Sequence, residues 1–225
     1  MKKLVTAACA LVAGLALADG VQSTNVVGYV AISAEGDAFT PVSVMFTDVG
    51  QNTLALDNIV FDGIYRYSTL QIFGSDGDLQ TTLMYNREGT WEDDDGNDAT
   101  DWVFQPGDSF WIAPNRDDVM VYFPGEVKTE ALVVTAPGDE FTPFGNGTPA
   151  AVSLSDITFD GIYRYSTLQI FGSDGDLQTT LMYNREGTWE HDDGNDASDW
   201  VFQPGDSFWI APNRDDVEVT VPAAL

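Results

Sequence analysis

The densest group of residues able to do chemistry is an acidic loop that occurs twice in the chain. The first copy, Glu92 to Asp101, reads EDDDGNDATD and holds seven carboxylate or amide side chains in ten residues. Calcium takes six to eight such oxygens, and crowded carboxylates repel one another without a cation. The spacing departs from the helix-loop-helix calcium pattern, because placing Gly96 sixth puts Trp91 first. A calcium site and a solvated acidic loop are both open interpretations.

The second copy of the loop tests this hypothesis internally. His191 stands where the first copy has Asp93, and imidazole is a poor ligand for calcium. Asp93 is therefore either not a ligand, or the two sites differ in affinity. Calcium is the one candidate cofactor, against the alternative of no cofactor at all. The predicted oxygen ligands common to both copies are Asp94, Asp95, Asn97, Asp98 and Asp101, with Asp192, Asp193, Asn195, Asp196 and Asp199.

Tryptophan supplies the second set of candidate binding residues. On the predicted strand Ser109 to Ala113, Phe110 and Ile112 alternate with Trp111, so the tryptophan faces away from any core that the other two enter. Exposed aromatic rings stack on the apolar faces of sugars. The competing interpretation is that these rings fill a core or the contact between two units. The candidate ligand-binding residues are Trp91, Trp111, Trp189 and Trp209.

The inventory of catalytic residue types argues against an enzyme. The chain has one histidine, His191, in only one copy of the loop, and its one cysteine, Cys9, lies in the first eighteen residues. Histidine-dependent triads, cysteine nucleophiles and histidine-built zinc sites are thereby excluded. No glycine-rich phosphate loop precedes a helix. Paired carboxylates of the glycosidase type stay open, but no pair is marked out. We predict a non-catalytic protein.

These residues belong to a block that is repeated almost without change. Phe61–Val119 recurs 98 residues later as Phe159–Val217, with two differences in 59 positions. That spacing matches one small domain. Short β-branched and aromatic runs with frequent turns, and no sustained helical period, predict an all-β chain. We expect two tandem β-sandwich or barrel-like domains of about 100 residues each, over 25–126 and 127–223, that touch one another.

Within the block, Asp76-Gly77 between alternating runs predicts a hairpin with a tight turn. Its register would pair Ile72 with Thr81 and Leu70 with Leu83. We also expect strands over 26–32 and 39–46, and a short strand over 64–67; Pro41 suits an edge strand or the start of a strand. The residues predicted to share the buried face of the hairpin are Leu70, Ile72, Leu79, Leu83 and Tyr85.

The few basic residues of the chain are mostly arginines of the duplicated block. In so acidic a chain we expect them to form ion pairs that order the loops. The six are Arg66, Arg87, Arg116, Arg164, Arg185 and Arg214.

The start of the chain and its overall charge bear on location and partners. Lys2 and Lys3 precede an apolar run that ends at Ala18, which predicts a secretory signal peptide over residues 1–18. Its removal takes two lysines and lowers the formal charge from −27 to −29. Nucleic acids and anionic membranes are polyanions, so neither is an expected partner. We expect no membrane insertion after signal removal, because the run is shorter than the ~20 residues of a spanning helix.

Three short motifs carry a family resemblance. Asn25–Val30 reads NVVGYV, 106–112 reads PGDSFWI and 123–127 reads FPGEV. In these motifs the chain resembles a family of secreted bacterial proteins built from paired β units, which have no assigned activity. The resemblance implies a secreted, repeated β protein and transfers no functional residue.

Together these observations predict a secreted or periplasmic bacterial protein that acts as a surface, matrix or binding module. One alternative is a tandem carbohydrate-binding module, calcium-dependent or not, whose partner is a polysaccharide or a cell-surface component. Another is a structural subunit that assembles with itself through sheet edges or exchanged domains, which near-identical neighbours favour. The identity of the ligand stays open.

Overall fold

The computed structural model describes residues 27–74, 76–172 and 174–223, and this part of the chain is all-β. The predicted signal peptide lies outside the described residues. Eleven strands, here called the first repeat, lie between residues 27 and 127. They are β1 Val27–Ala34, β2 Thr40–Ser43, β3 Phe46–Thr47, β4 Leu54–Ala55, β5 Val60–Asp62, β6 Thr69–Phe73, β7 Leu79–Tyr85, β8 Trp91–Glu92, β9 Val103–Phe104, β10 Ser109–Ala113 and β11 Val119–Val127.

Ten further strands, here called the second repeat, lie between residues 132 and 221. One three-residue 3-10 helix lies in each repeat, at Leu56–Asn58 and Leu154–Asp156. No helix in the described ranges has the length and apolar character needed to cross a bilayer. The strands are β12 Leu132–Ala136, β13 Thr142–Gly145, β14 Val152–Ser153, β15 Thr158–Asp160, β16 Thr167–Phe171, β17 Leu177–Tyr183, β18 Trp189–Glu190, β19 Val201–Phe202, β20 Ser207–Ala211 and β21 Val217–Val221.

The strands of each repeat pair only with one another across the described residues, and they form three sheets. In the first repeat, β11 lies between β1 on one side and β3 and β5 on the other. A five-stranded sheet has the order β2-β10-β6-β7-β8, and β4 pairs with β9. The second repeat has the matching orders β12-β21-β15, β13-β20-β16-β17-β18 and β14-β19. Pro41 lies on edge strand β2, as predicted, where its missing N–H costs no ladder hydrogen bond.

Each repeat has its own buried apolar cluster, and the cluster draws on more than one sheet. In the first repeat, Val121 and Phe123 from β11 meet Phe110 and Ile112 from β10, and all four are fully buried. The second repeat has the equivalent cluster around Phe208. The alternation of β10 therefore gives one face of the strand to the core, and leaves Trp111 on the other face.

The predicted hairpin is confirmed in its register. Leu70 pairs with Leu83 and Ile72 with Thr81, and both leucines and Ile72 are buried. The prediction for Leu79 is wrong, because a bulge lets Phe73 pair with Leu79 and leaves Leu79 half exposed. The predicted two-residue turn is also wrong, because the Gly74 N–H donates to the Asp78 carbonyl (2.8 Å), and Gly77 lies within this turn at φ +78°.

The predicted strand over 64–67 is also wrong. This segment is a turn, closed by a hydrogen bond from the Ser68 N–H to the Tyr65 carbonyl (3.1 Å). Tyr67 has φ +69°, a left-handed value that a strand residue does not adopt. The chain pairs as a strand slightly earlier, at β5.

Candidate functional site

Two of the four candidate tryptophans lie in the cores. Trp91 and Trp189 are 3% and 4% exposed. Trp91 packs edge-on against Phe61 and Tyr85, with ring centroids 5.2 Å apart in each pair. Trp189 makes the matching contacts in the second repeat. In this position neither ring offers a face to a ligand, and both support the acidic loops that follow them.

The other two candidate tryptophans meet at the contact between the repeats. Trp111 and Trp209 lie edge to face with centroids 6.2 Å apart. Phe73 packs on Trp209 at 5.2 Å, and Phe171 packs on Trp111 at 5.1 Å. Phe39 packs on Trp111 of the same repeat, with ring centroids 6.2 Å apart, and Phe141 packs on Trp209 in the same way. Aromatic side chains that point away from the two cores thus pack against one another and join the repeats.

Backbone and side-chain hydrogen bonds surround these rings. The Oγ atoms of Ser109 and Ser207 lie 2.5 Å apart, and both serines are buried. The Ser43 N–H donates to the Gly205 carbonyl, and the Gly145 N–H donates to the Gly107 carbonyl, each at 3.1 Å. Each ring contact and backbone hydrogen bond described above recurs between the equivalent residues with the first and second repeats interchanged. The inter-repeat interface, formed mainly by β2, β10, β13 and β20, is therefore isologous, like that of a twofold dimer.

The hairpin tips complete the interface. A Cβ added to Gly77 would lie 2.0 Å from the Phe141 carbonyl oxygen, and one added to Gly175 would lie 2.1 Å from the Phe39 carbonyl oxygen. Each hairpin tip of one repeat thus rests on the loop before β2 or β13 of the other. Only glycine has both the φ freedom and the size for this position.

The pseudosymmetry breaks at one pair of equivalent positions. Ser43 in β2 corresponds to Gly145 in β13, and the two residues face each other across the interface. A Cβ added to Gly145 would lie 1.8 Å from the Ser43 Cβ. Two serines do not fit there, so the difference between the copies follows from packing.

The acidic loops are held closed by their own side chains. Asp93 Oδ1 accepts hydrogen bonds from the N–H groups of Asp95 (3.0 Å) and Asn97 (2.8 Å). Hydrogen bonds from Asn97 lower the pKa of Asp93. In the second copy, His191 cannot do this, and Asp193 accepts from the Asn195 N–H (3.1 Å) and side-chain amide (2.7 Å) instead. Asp93 therefore acts as a loop cap, a role that the density of carboxylates alone does not reveal.

The predicted calcium ligands stay exposed at the loop surface. Asp94, Asp95, Asn97, Asp98 and Asp101 are exposed, as are their five counterparts. Within the described residues, no three carboxylate, imidazole or thiol side chains are gathered as a metal-binding group. Asp98 accepts from the Thr100 hydroxyl and N–H, which lowers its pKa. Calcium binding by these loops stays a prediction.

The arginines do not form the predicted ion pairs. In the described part of the chain, none has a carboxylate oxygen within 4.0 Å. The Arg116 guanidinium lies over the Tyr65 ring, 4.2 Å from its centroid, and Arg66 lies 5.6 Å from Tyr65 and Tyr67. The second repeat has the same arrangement. The repeated Y-R-Y motif was the available signal for these clusters.

Two carboxylates that protein largely surrounds flank the inter-repeat interface. Burial raises the pKa of Asp206 to about 6, although the Gln203 N–H donates to it at 2.6 Å. Burial of the carboxylate also raises the pKa of Asp108. The residue as a whole is exposed, although protein surrounds most of its carboxylate. Asp108 also lines a groove of about 280 Å³ that runs between the repeats. The other groove residues include Phe73, Gln80, Val134 and Pro143.

Comparison of the chain with protein-family models, with curated proteins and with solved structures yields no match.

The hairpin contact predicts a difference between two glycine substitutions. Gly175→Ala and Gly194→Ala both place alanine at a positive φ, +75° and +78°, but only Gly175 faces the other repeat, whereas nothing lies within 4 Å of Gly194. We expect Gly194→Ala to cost about 1 kcal/mol and Gly175→Ala about 2 kcal/mol more. Thermal unfolding followed by tryptophan fluorescence measures both. Equal melting temperatures for the two variants would contradict the contact.

The Ser43–Gly145 pair predicts a compensating exchange. Gly145→Ser should destabilise the chain by about 2 kcal/mol through overpacking. Adding Ser43→Gly should recover most of that loss, since it removes the side chain that the new serine meets. Urea unfolding of the two single variants and the double variant forms the cycle. A double variant as unstable as Gly145→Ser alone would show that the two positions are not opposed.

The raised pKa of Asp206 predicts a pH-dependent effect of Asp206→Asn. The folded protein holds this proton more tightly than the unfolded chain, so the group's contribution is fully present below about pH 4 and is lost as pH rises through about 6. The variant should match wild type at pH 4 and exceed it by on the order of 1–2 kcal/mol at pH 7. Urea unfolding at both pH values tests this, with exposed Asp62→Asn as the control. A constant difference between the two pH values would overturn the assignment.

Proposed function

We propose that this chain is a secreted or periplasmic, non-catalytic bacterial protein that acts as a bivalent surface or matrix binding module. Residues 1–18 serve as its signal peptide, and 25–126 and 127–223 form its two β-sandwich domains. The charged start and apolar run support export. The sandwich is supported by a buried cluster in each repeat that draws side chains from more than one sheet.

The observation that carries the proposal is the isologous inter-repeat interface. It combines six aromatic side chains, a buried serine pair and two backbone hydrogen bonds between the repeats. Such a contact holds two near-identical surfaces in one relative orientation. Linked sites of fixed geometry gain avidity without any new contact, which suits a protein that holds on to a repetitive polymer.

A non-catalytic role agrees with the distribution of polar groups. The two carboxylates with raised pKa, Asp108 and Asp206, lie beside the interface, where each accepts a backbone hydrogen bond. Burial by the surrounding protein accounts for both raised pKa values, so neither carboxylate requires a catalytic role to explain it. The partner that we propose is a polysaccharide or another repetitive cell-surface polymer.

Binding to insoluble polymers tests the proposal. Purified chain lacking residues 1–18 is mixed with cellulose, chitin, xylan, pectin and peptidoglycan sacculi, and the bound fraction is measured after washing. We expect retention on at least one polymer without release of soluble sugar. The Gly77→Ala/Gly175→Ala variant should bind at least tenfold more weakly, because the two surfaces lose their fixed relation.

The Gly96→Ala/Gly194→Ala variant is the matched control, since it makes the same substitutions at similar φ away from the interface. It should bind like wild type. Retention on none of the polymers would overturn the binding function, and release of sugar would overturn the non-catalytic one.

A further inference from the structure

We propose that the two tyrosine–arginine clusters bind anionic sugar residues of an acidic polysaccharide, with one site on each repeat. This inference rests on the proposed binding function and names its ligand class. The first cluster consists of Tyr65, Arg66, Tyr67, Arg87 and Arg116. The second consists of Tyr163, Arg164, Tyr165, Arg185 and Arg214.

The clusters hold nearly all the positive charge of the described chain. Lys128 is the only other basic residue in the described ranges. Glu88 directly follows Arg87, and Asp117 directly follows Arg116, yet neither arginine has an ion-pair partner there. Asp118 instead accepts a hydrogen bond from the Gly36 N–H at 3.0 Å. Glu88 and Glu186 interact electrostatically with Arg87 and Arg185, but among the described residues the arginines of the clusters form no close ion pair.

The guanidinium groups lie among tyrosine rings instead of carboxylates. Arg116 stacks on Tyr65, and Arg87 Nη2 donates to the Tyr67 hydroxyl at 3.4 Å. Arg66 Nε is buried and has no hydrogen-bond partner among the described residues. A buried N–H without a partner costs free energy, and most guanidinium donors of the cluster are likewise unused. Tyr67 is 46% exposed, and Arg87 and Arg116 are exposed as well, so these three side chains are open to solvent.

The backbone holds the cluster in a costly conformation. Tyr67 has φ +69° and Arg116 has φ +114°, and the same strain recurs at Tyr165 and Arg214. Bulky residues rarely adopt such values, which cost of order 1–3 kcal/mol each and concentrate at functional sites. Glycine would remove this cost at both positions. Tyrosine and arginine nevertheless stand at these positions in each repeat, which places the ring and the guanidinium at the two strained points of the cluster.

Hydrogen bonds from neighbouring turns fix this strained geometry. The buried Ser68 donates through Oγ to the Tyr65 carbonyl (2.7 Å) and accepts from the Asn115 N–H (2.9 Å). The Asn115 side-chain amide donates to the Arg66 carbonyl at 2.9 Å. Ser166 and Asn213 repeat all three bonds. The turn carrying Tyr65 to Tyr67 is thus locked to the turn carrying Arg116, which pre-organises the cluster.

This combination of groups matches an anionic pyranose. Tyrosine rings stack on the apolar face of a sugar, and guanidinium donates two parallel hydrogen bonds to a carboxylate or sulfate. The net negative charge of the chain opposes such a ligand only weakly near the cluster, because exposed charges are screened beyond about 8 Å at physiological salt. Two sites on one chain would engage one polymer together.

Titration calorimetry with polygalacturonate, dextran sulfate and neutral dextran tests the inference on the full chain without residues 1–18. We expect polygalacturonate or dextran sulfate to bind, weakening with added salt, and dextran not to bind. The two anionic arms distinguish a carboxylate from a sulfate ligand. Arg87→Gln/Arg185→Gln should weaken binding at least tenfold at an unchanged melting temperature, because both arginines lie at the surface.

Lys128→Gln is the control, since it removes a positive charge outside the clusters and should leave affinity within twofold. Absence of binding to both anionic polymers, or equal loss in Lys128→Gln and in the arginine variant, would overturn the anionic-sugar sites. The binding function would still stand if an insoluble neutral polymer retained the chain, so the two failures are distinguishable.

Discussion

The alternation of side chains between the two faces of strand β10 is the constraint on which the structure depends. Phe110 and Ile112 fill the core of the first repeat, and Trp111, between them in sequence, faces the second repeat. In strand β20, Phe208 and Ile210 likewise fill the core of the second repeat, and Trp209 faces the first repeat. Because neighbouring side chains of a strand point to opposite faces, one short segment serves a core and an interface at once. A one-residue slip in the register of β10 would turn Trp111 towards the core and remove both sets of contacts.

Much of the fold could be predicted from the sequence, because it depends on local patterns. The all-β class, the hairpin register from Leu70 to Leu83 and the sidedness of β10 follow from alternation and turn residues. The bulge that exposes Leu79 and the turn over 64–67 could not be predicted, since both depend on how the hairpin docks in the assembled repeat. The use of Trp111 depends on a partner surface, which no local pattern encodes.

The polar chemistry separates into groups that are satisfied within the chain and groups that are not. Asp93 closes its own loop and Asp118 holds a neighbouring turn, so part of the acidic surface is structural. The arginines have tyrosine neighbours and no carboxylate partners in the described part of the chain. In the sequence the carboxylates stand out because they are numerous. In the structure the arginines stand out because they lie beside tyrosine rings. Scarce charges in an acidic chain are therefore more informative than abundant ones.

The asymmetric pair at the interface also limits how this gene can evolve. Two nearly identical stretches in one gene are substrates for recombination and gene conversion. A conversion tract extended upstream to residue 43 or 145 would place the same residue on both sides of the axis, giving either a collision of two serines or a gap between two glycines. A deletion that left only the first repeat would uncover its aromatic face, and two such chains would bring two serines together at position 43. Selection on this single contact would thus preserve the boundary at which the two repeats cease to be identical.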